Sequence, residues 1–536
     1  MKKKKKKLRF RKEFISLVKK AAFLLVIFVL LRTPFLISIN GDKNIIVEAG
    51  SEYLDPGATG KFGIEVKTDN KVNTAVPGTY KVVYSWLAES AARKVKVVDT
   101  TSPSISLADG NEVYLLKGEE TNLSVSAFDS IDGDLTDKIN VKGKYDITTT
   151  GDYEITYSVA DKSGNKDEKK QIVHVVDGNI DYCGLVSNKA GVSSSIIAAL
   201  KQFYNHYFTS IRFLKKVDFS SDFSNSRELE RWNAAMDILL YARTSSTINL
   251  RMRNCLYELT ITSIDQTAEG YEVEVLERSV FEFAFMEEGE HSEASEIYNL
   301  FVFDSSNKII GLYKEEGFYM VFHELNSSDS IERAKQTYLN VIEENAIHNK
   351  EVLNRINEGT MKFETAKTVI TAYDREKAVE YADEYALKRN SDYFAFNSNC
   401  VNFVSQCMHV GGIPMVYSGD YQWKYYSFGY NPYSGKTGYT YSWTYIPAYT
   451  TMIENSNKVI VEPHQEVYFS EPGDCIMLSR DGEIWNHVVL CTKVVRNQQG
   501  EIVEVLYSGN TNDVKNYPLS ATVYWMAECE KILGSR

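Results

Sequence analysis

Two stretches of this chain repeat one another, and the repeat narrows the fold of everything before residue 178. Gly78–Asp99 reads GTYKVVYSWLAESAARKVKVVD, and Gly151–Asp177 reads GDYEITYSVADKSGNKDEKKQIVHVVD. Both carry G-x-Y-x-[VI]-x-Y-S, cross a turn-rich gap and close on a valine-rich run ending Val-Val-Asp. Apolar and polar residues alternate along each run, which turns one strand face to a core and the other to water. A duplicated set of short alternating strands predicts tandem β-sandwiches, here residues 41–100 and 101–178.

The pair resembles the bacterial immunoglobulin-like repeats of Gram-positive surface proteins, which implies spacer or adhesion modules. The second repeat contains FDSIDGDLTD, with Asp129, Asp132, Asp134 and Asp137. Carboxylates this dense are candidate Ca2+ ligands. The run lacks the spacing and closing Glu of a calcium-binding loop, so it reads as a turn.

Charge is divided unevenly. Residues 1–40 hold twelve Lys/Arg and one acid, and the formal net charge of −12 leaves −23 on residues 41–536. A body this acidic excludes nucleic acid as the main partner. The basic run from Lys2 to Lys20 leads into AAFLLVIFVLL, Ala21–Leu31. Basic then apolar is the order of an export signal. The apolar run is eleven residues, or nineteen if counted through Arg32 to Ile39, against the ~20 that a spanning helix needs. No small-residue cleavage site follows. Residues 1–40 are therefore expected to be an uncleaved signal-anchor with a transmembrane segment, at the cell membrane, leaving the body extracellular; if the segment is cleaved the protein is secreted.

Seven cysteines, Cys183, Cys255, Cys400, Cys407, Cys475, Cys491 and Cys529, form no C-x-x-C pair, disulfide framework or zinc-ligand spacing. Between residues 179 and 330, helical spacing at Ser193–Phe213 and Glu228–Ala242 precedes strand-like runs at Leu256–Ile264, Tyr271–Leu276, Val280–Met286, Ile297–Phe303 and Gly317–Phe322. Two helices followed by antiparallel strands predict an α+β cone of the cystatin or nuclear-transport-factor type. Residues 331–366 read as a helical connector, and 367–536 as a final domain.

That last domain carries the chemistry. Asp374 is placed to cap a helix with Val379, Ala382 and Ala386 on its apolar stripe. In NSNCVNFVSQCMHV, Cys400, Phe403, Val404, Cys407 and Met408 share one helical face, with Gly411-Gly412 as the stop. Cys400 thus sits in the first helical turn, where oriented N–H groups favour a thiolate; Cys407 belongs to the core. A nucleophilic thiol needs a base. Trp485–Cys491 reads as a strand whose alternation sets His487 on one face with Val489 and Cys491. The next strand ends in SGNTND, where Asn510, Asn512 and Asp513 are candidates for a third, imidazole-orienting group. Tyr417–Tyr449 packs thirteen aromatics into 33 residues, either a core insertion or a sugar-stacking groove involving Trp423 and Trp443.

YDREKAVEYADEYA, NCVNFVSQCMHVGGIP, EPGDCIML, NHVVLCT and YSGNTNDVKNYPL together resemble the putative amidase domain family of exported Gram-positive proteins. The resemblance covers Tyr373–Ser520 and implies a papain-like thiol hydrolase with Cys400 as nucleophile and His487 as base. Family members usually carry Asp where this chain has Asn399, and often His where it has Asn510; Asn510 fits the orienting role. The oxyanion donor would be the Cys400 N–H, with a side chain from Asn397–Asn399, and Asn399 is a candidate groove residue.

The expected fold is multidomain: an N-terminal membrane anchor, two all-β immunoglobulin-like sandwiches, an α+β cone-like domain and a C-terminal α+β papain-like domain. The expected function is amide hydrolysis in peptidoglycan or another cell-wall polymer, with no metal or organic cofactor. The alternatives are a non-catalytic wall adhesin or receptor with a degenerate hydrolase domain, or transglutaminase-type acyl transfer.

Overall fold

The structure, a computed structural model, describes residues 2–32, 36–118, 122–176, 180–314, 325, 330–431, 436–497, 499–511 and 513–536. The chain divides into two compact units. One comprises Met1–Ser106, Val125–Lys142 and Thr156–Lys169; the other comprises Leu107–Ser124, Gly143–Ile155 and Lys170–Arg536.

In the first unit, Lys2–Arg32 is helical. Among the described residues no helix is long and apolar enough to cross a membrane. Counting the apolar run on to Ile39 fails for a physical reason. Ile37–Ile39 is a strand paired antiparallel with Ala58–Gly60, and Leu36 and Ile37 are buried. The last apolar residues of the expected span therefore serve the first sandwich. That module has a four-stranded sheet in the order Asn44–Glu48, Glu89–Val98, Gly78–Trp86, Lys67–Asn70. The period-two pattern is realised directly: Val82, Tyr84 and Val95 point inward around Ile37. The closing valine-rich strand runs parallel to the opening strand of its repeat, Asn44 against Lys94. In the second repeat the closing strand likewise runs parallel to an early strand, Glu112–Leu116, with Ile172 against Glu112.

The second unit is built on one twelve-stranded sheet. Its spine runs Cys183–Asn188, Met252–Gln266, Tyr271–Phe283, Ser292–Phe303, Asp513–Pro518, Ile502–Gly509, His487–Arg496, Cys475–Ser479, Met526–Ser535, Thr371–Ala372. Ile309–Lys314 lies beside Ser292–Phe303, and Val459–Glu466 beside Met526–Ser535. The middle region is not closed on itself: Glu293, Ala294 and Ser295 pair antiparallel with Lys515, Val514 and Asp513. Tyr271–Leu276 and Val280–Met286 merge into the single strand Tyr271–Phe283, and Gly317–Phe322 lies outside the described residues.

Two cores form on this sheet. Helices Ser194–Phe213 and Ser226–Thr244 pack with Leu259, Val275 and Phe301, and the same cluster reaches Ile476, Leu478, Val489 and Tyr507. Helices Arg375–Tyr385, Cys400–Val410 and Ile446–Asn455 build the other around Met477, Val488 and Leu490. Adjacent pleat positions of the His487–Arg496 strand thus feed different cores. Helix Ile331–Asn357 packs on Ser226–Thr244.

Candidate active site

The C-terminal motifs are first of all structural. The Asp374 carboxylate accepts from the Lys377 N–H and caps Arg375–Tyr385. Arg375 then reaches Asp474 of the EPGDC turn at 2.7 Å. Asp474 is fully buried, and each of its oxygens takes two bonds. Oδ1 accepts from Arg375 and from the Ile532 N–H at 2.9 Å; Oδ2 accepts from Lys531 at 3.2 Å and from the Glu471 N–H at 2.9 Å. Gly473 sits at φ +95, where a Cβ would press on the Tyr373 ring at 3.2 Å. This cluster locks the helix before Cys400 to the strand before His487. Its members, Arg375, Asp474 and Lys531, were not singled out by sequence reasoning, although two of them stand in the quoted motifs.

Cys400 is the first residue of its helix, as the spacing predicts, and only 6% exposed. Its sulfur lies against the N–H groups of Val488, Val401 and Cys400 itself, which pull its pKa down. Burial outweighs them, and the thiol is pushed up from its ordinary value. The expectation of a helix-lowered thiol is corrected here: the oriented donors are present, but the site is too dry for them to win. Cys407, two turns on, is buried and pushed up further without comparable donors.

His487 opens its strand opposite Leu478. Burial alone drives its imidazole pKa down to about 3. Both groups are therefore neutral at pH 7. Cys491 exchanges backbone bonds with Gly473 and Asp474. By ladder alternation Val488, three residues back, turns its N–H the other way, toward the Ile502–Gly509 strand. The sulfur meets that N–H. The His487 Nε2 reaches the same strand, since it lies 3.9 Å from where a Cβ on Gly509 would sit. The imidazole therefore borders Gly509, and the thiol borders the N–H of Val488, the residue that follows His487. A Cβ on Gly509 would strike Val489 at 2.9 Å, so this position is tightly packed.

Asn510 is held by bonds to the helices on either side of it. Its Oδ1 accepts from Asn399 Nδ2 at 2.8 Å, and its Nδ2 donates to the carbonyls of Ala386 at 2.7 Å and Tyr385 at 3.3 Å. It brackets the cysteine helix against the end of the preceding one. Asn399 borders a small cavity together with Asn402, Gln406 and Asn510. Its N–H donates to Thr511, its Oδ1 accepts from the Phe396 N–H and Asn402, and it is 1% exposed. Asp513 pairs with Arg389 at 2.5 Å, and Asn512 lies outside the described residues. Trp423 and Trp443 are corrected from groove to core. Both are fully buried, their rings 4.6 Å apart, with indole N–H groups donating to Ser405 and Asn402 on the back of the cysteine helix. Elsewhere in this unit His464, Glu528 and Glu530 come within metal-binding reach of one another. Glu528, 2.7 Å from the imidazole, raises the His464 pKa, which marks an ion pair.

Residues 372–533 match the family described as "Putative amidase domain", and residues 37–97 and 105–175 match "Bacterial surface protein, Ig-like domain". The uncharacterized protein YhbB of Bacillus subtilis (strain 168) is 33% identical over 135 residues, 24% of this chain and 39% of that protein. Pesticidal crystal protein Cry22Aa of Bacillus thuringiensis is 33% identical over 129 residues, 22% of this chain and 17% of its own length. The chain thus spans well under two thirds of either relative. A solved structure of CBM51-2 and INT domains of Clostridium perfringens ZmpB covers 14% of this chain and 16% of its own, at 26% identity and a TM-score of 0.13, which carries no argument. The chain thus joins two segments that match bacterial surface Ig-like domains to a C-terminal segment that matches the putative amidase domain family.

Proposed function

We propose that the protein is a cell-surface thiol hydrolase that cleaves amide bonds in peptidoglycan. The observation that carries this reading is that the Cys400 sulfur, at the start of its helix, lies against the N–H of Val488, the residue next to His487. Cys400 attacks the amide carbonyl while His487 takes the thiol proton. The imidazolium protonates the departing amine, which leaves an acyl group on sulfur. Water, deprotonated by His487, then releases that acyl group. The neutral resting pair fits this order, because the base must be unprotonated before substrate arrives. The Cys400 N–H is the oxyanion donor within reach of the thiol. Export would place the body at the cell surface, directed by the basic, then apolar, N-terminal helix, and the Ig-like modules would space the hydrolase from the membrane.

Incubating the full chain with purified peptidoglycan and separating the fragments by mass tests this. Wild type releases fragments with new amine ends, and Cys400→Ala lowers the rate by about a thousandfold or more. Undiminished release by a folded Cys400→Ala variant overturns the assignment.

Burial of both groups favours a second reading, a wall-binding scaffold with a silent site. A thiol-alkylating probe at neutral pH separates the two. Labelling of Cys400 ahead of Cys407 supports the enzyme, and equal labelling of both supports the scaffold.

A further inference from the structure

Three buried aspartates in the first unit come together without a cation. Asp99 follows the last strand of the first repeat, while Asp129 and Asp161 belong to the second. One carboxylate oxygen from each lies within 4.8 Å of the others. Their exposures are 7%, 1% and 7%. Such a triad is costly: three like charges in a dry site repel one another, and nothing in water compensates.

The surrounding backbone holds the carboxylates in this arrangement. Asp129 Oδ1 accepts from the N–H groups of Ile131 and Asp132, both at 2.8 Å. Asp161 Oδ1 accepts from Gly164 at 2.6 Å and Asn165 at 2.8 Å, and its Oδ2 from Asn165 Nδ2 at 2.7 Å. Asp99 Oδ1 accepts from the Thr101 N–H at 3.2 Å, and the Asn165 amide also donates to the Asp99 carbonyl. Oδ2 of Asp99 and Oδ2 of Asp129 are buried with no hydrogen-bond partner. Two orphaned anionic oxygens in one dry cluster call for a cation, and among the described residues no Lys or Arg pairs with any of the three. Lys162, the nearest in sequence, is committed to Asp132 at 2.9 Å.

We propose that Asp99, Asp129 and Asp161 form a calcium site that ties the segment leaving the first Ig-like module to the turns of the second. The donors are all hard oxygens, the type that Ca2+ takes in sets of six to eight, with water and backbone carbonyls completing the shell. Calcium at extracellular concentrations would stiffen the joint between the modules, and its removal would let the three carboxylates repel.

Calcium chloride titrated into the full chain, after stripping with a chelator, tests this by calorimetry and thermal unfolding. One ion binds per chain, in the submillimolar to millimolar range of extracellular modules, and the unfolding midpoint rises. Asp129→Asn keeps an oxygen for the two N–H groups but removes a charge, and it weakens binding by roughly tenfold or more. The sign of its effect on stability also reverses: at least as stable as wild type in chelator, less stable in calcium. Asp99→Asn is the second variant should Asp129→Asn fail to fold. No heat and no midpoint shift in wild type, or undiminished binding in a folded variant of either kind, overturns the site. If both variants are more stable than wild type with calcium and with chelator, the carboxylates are relieved by shared protons, and the site is overturned as well.

Discussion

Asp474 and the Asp99–Asp129–Asp161 triad are both buried acid, and the molecule treats them in opposite ways. Around Asp474 the chain supplies its own cations, Arg375 and Lys531, together with two backbone N–H groups. Around the triad the donors are uncharged: backbone N–H groups, the Asn165 amide and the Ser163 hydroxyl. Helix, turn and final strand meet at Asp474, so three elements fix its partners. The triad gathers two turns and a linker, and the one cation of these turns, Lys162, is spent on Asp132. The contrast separates a carboxylate that completes a fold from carboxylates that gain a partner only from outside.

The strongest way to break the contrast is to remove Asp474. Asp474→Ala leaves Arg375 and Lys531 facing a dry core, and breaking a buried pair in this way costs about 3–5 kcal/mol. Urea unfolding of the variant should show a loss of that size. A loss near zero would mean that the two cations find water, and that the cluster is no different in kind from a surface pair.

Glu504 is a third arrangement, intermediate in effect. It is fully buried in the Ile502–Gly509 strand, takes bonds from the Ser520 hydroxyl and from the Val505 N–H at 2.8 Å, and burial pushes its pKa up to about 7. Here a proton takes the place of a cation. A carboxyl raised on folding contributes stability that is complete below its unfolded pKa and is lost as pH climbs through the folded value. Wild type should therefore lose about 3 kcal/mol relative to Glu504→Gln between pH 4.5 and 8. Parallel stability curves across that window would show that Glu504 stays ionised and is compensated elsewhere.

Local and distant causes divide what could be read from the residues alone. The cap at Asp374 and the start of the cysteine helix at Cys400 are set by neighbours a turn away, and the structure places them where the spacing puts them. The strands of the repeats follow from alternation for the same reason. The pairing of Glu293–Ser295 with Asp513–Lys515 joins segments more than two hundred residues apart, and no local pattern encodes it. The thiol followed a similar course. Its helix position was legible, but the burial that raises its pKa comes from strands far along the chain. Trp423 and Trp443 show the same limit, since an aromatic run looks alike whether it lines a groove or fills a core until Ser405 and Asn402 take its N–H groups.

The smallest effect is the sharpest test of the comparison. In sequence, Asp129 stands in one run with Asp132 and Asp134, which looks like a single acidic loop. The fold separates them. Asp132 accepts from the Lys162 N–H at 2.7 Å and pairs with its ammonium, and Asp134 accepts from the Thr136 N–H at 2.9 Å. Neither has an oxygen in the triad. Asp132→Asn and Asp134→Asn should therefore leave the calcium titration within about twofold of wild type, because exposed or already paired charges act weakly through screening solvent. A loss in either variant as large as that in Asp129→Asn would mean that the ion sits along the loop and not across the joint. The distinction between acids partnered by the chain and acids awaiting a partner would then have to be redrawn around the loop itself.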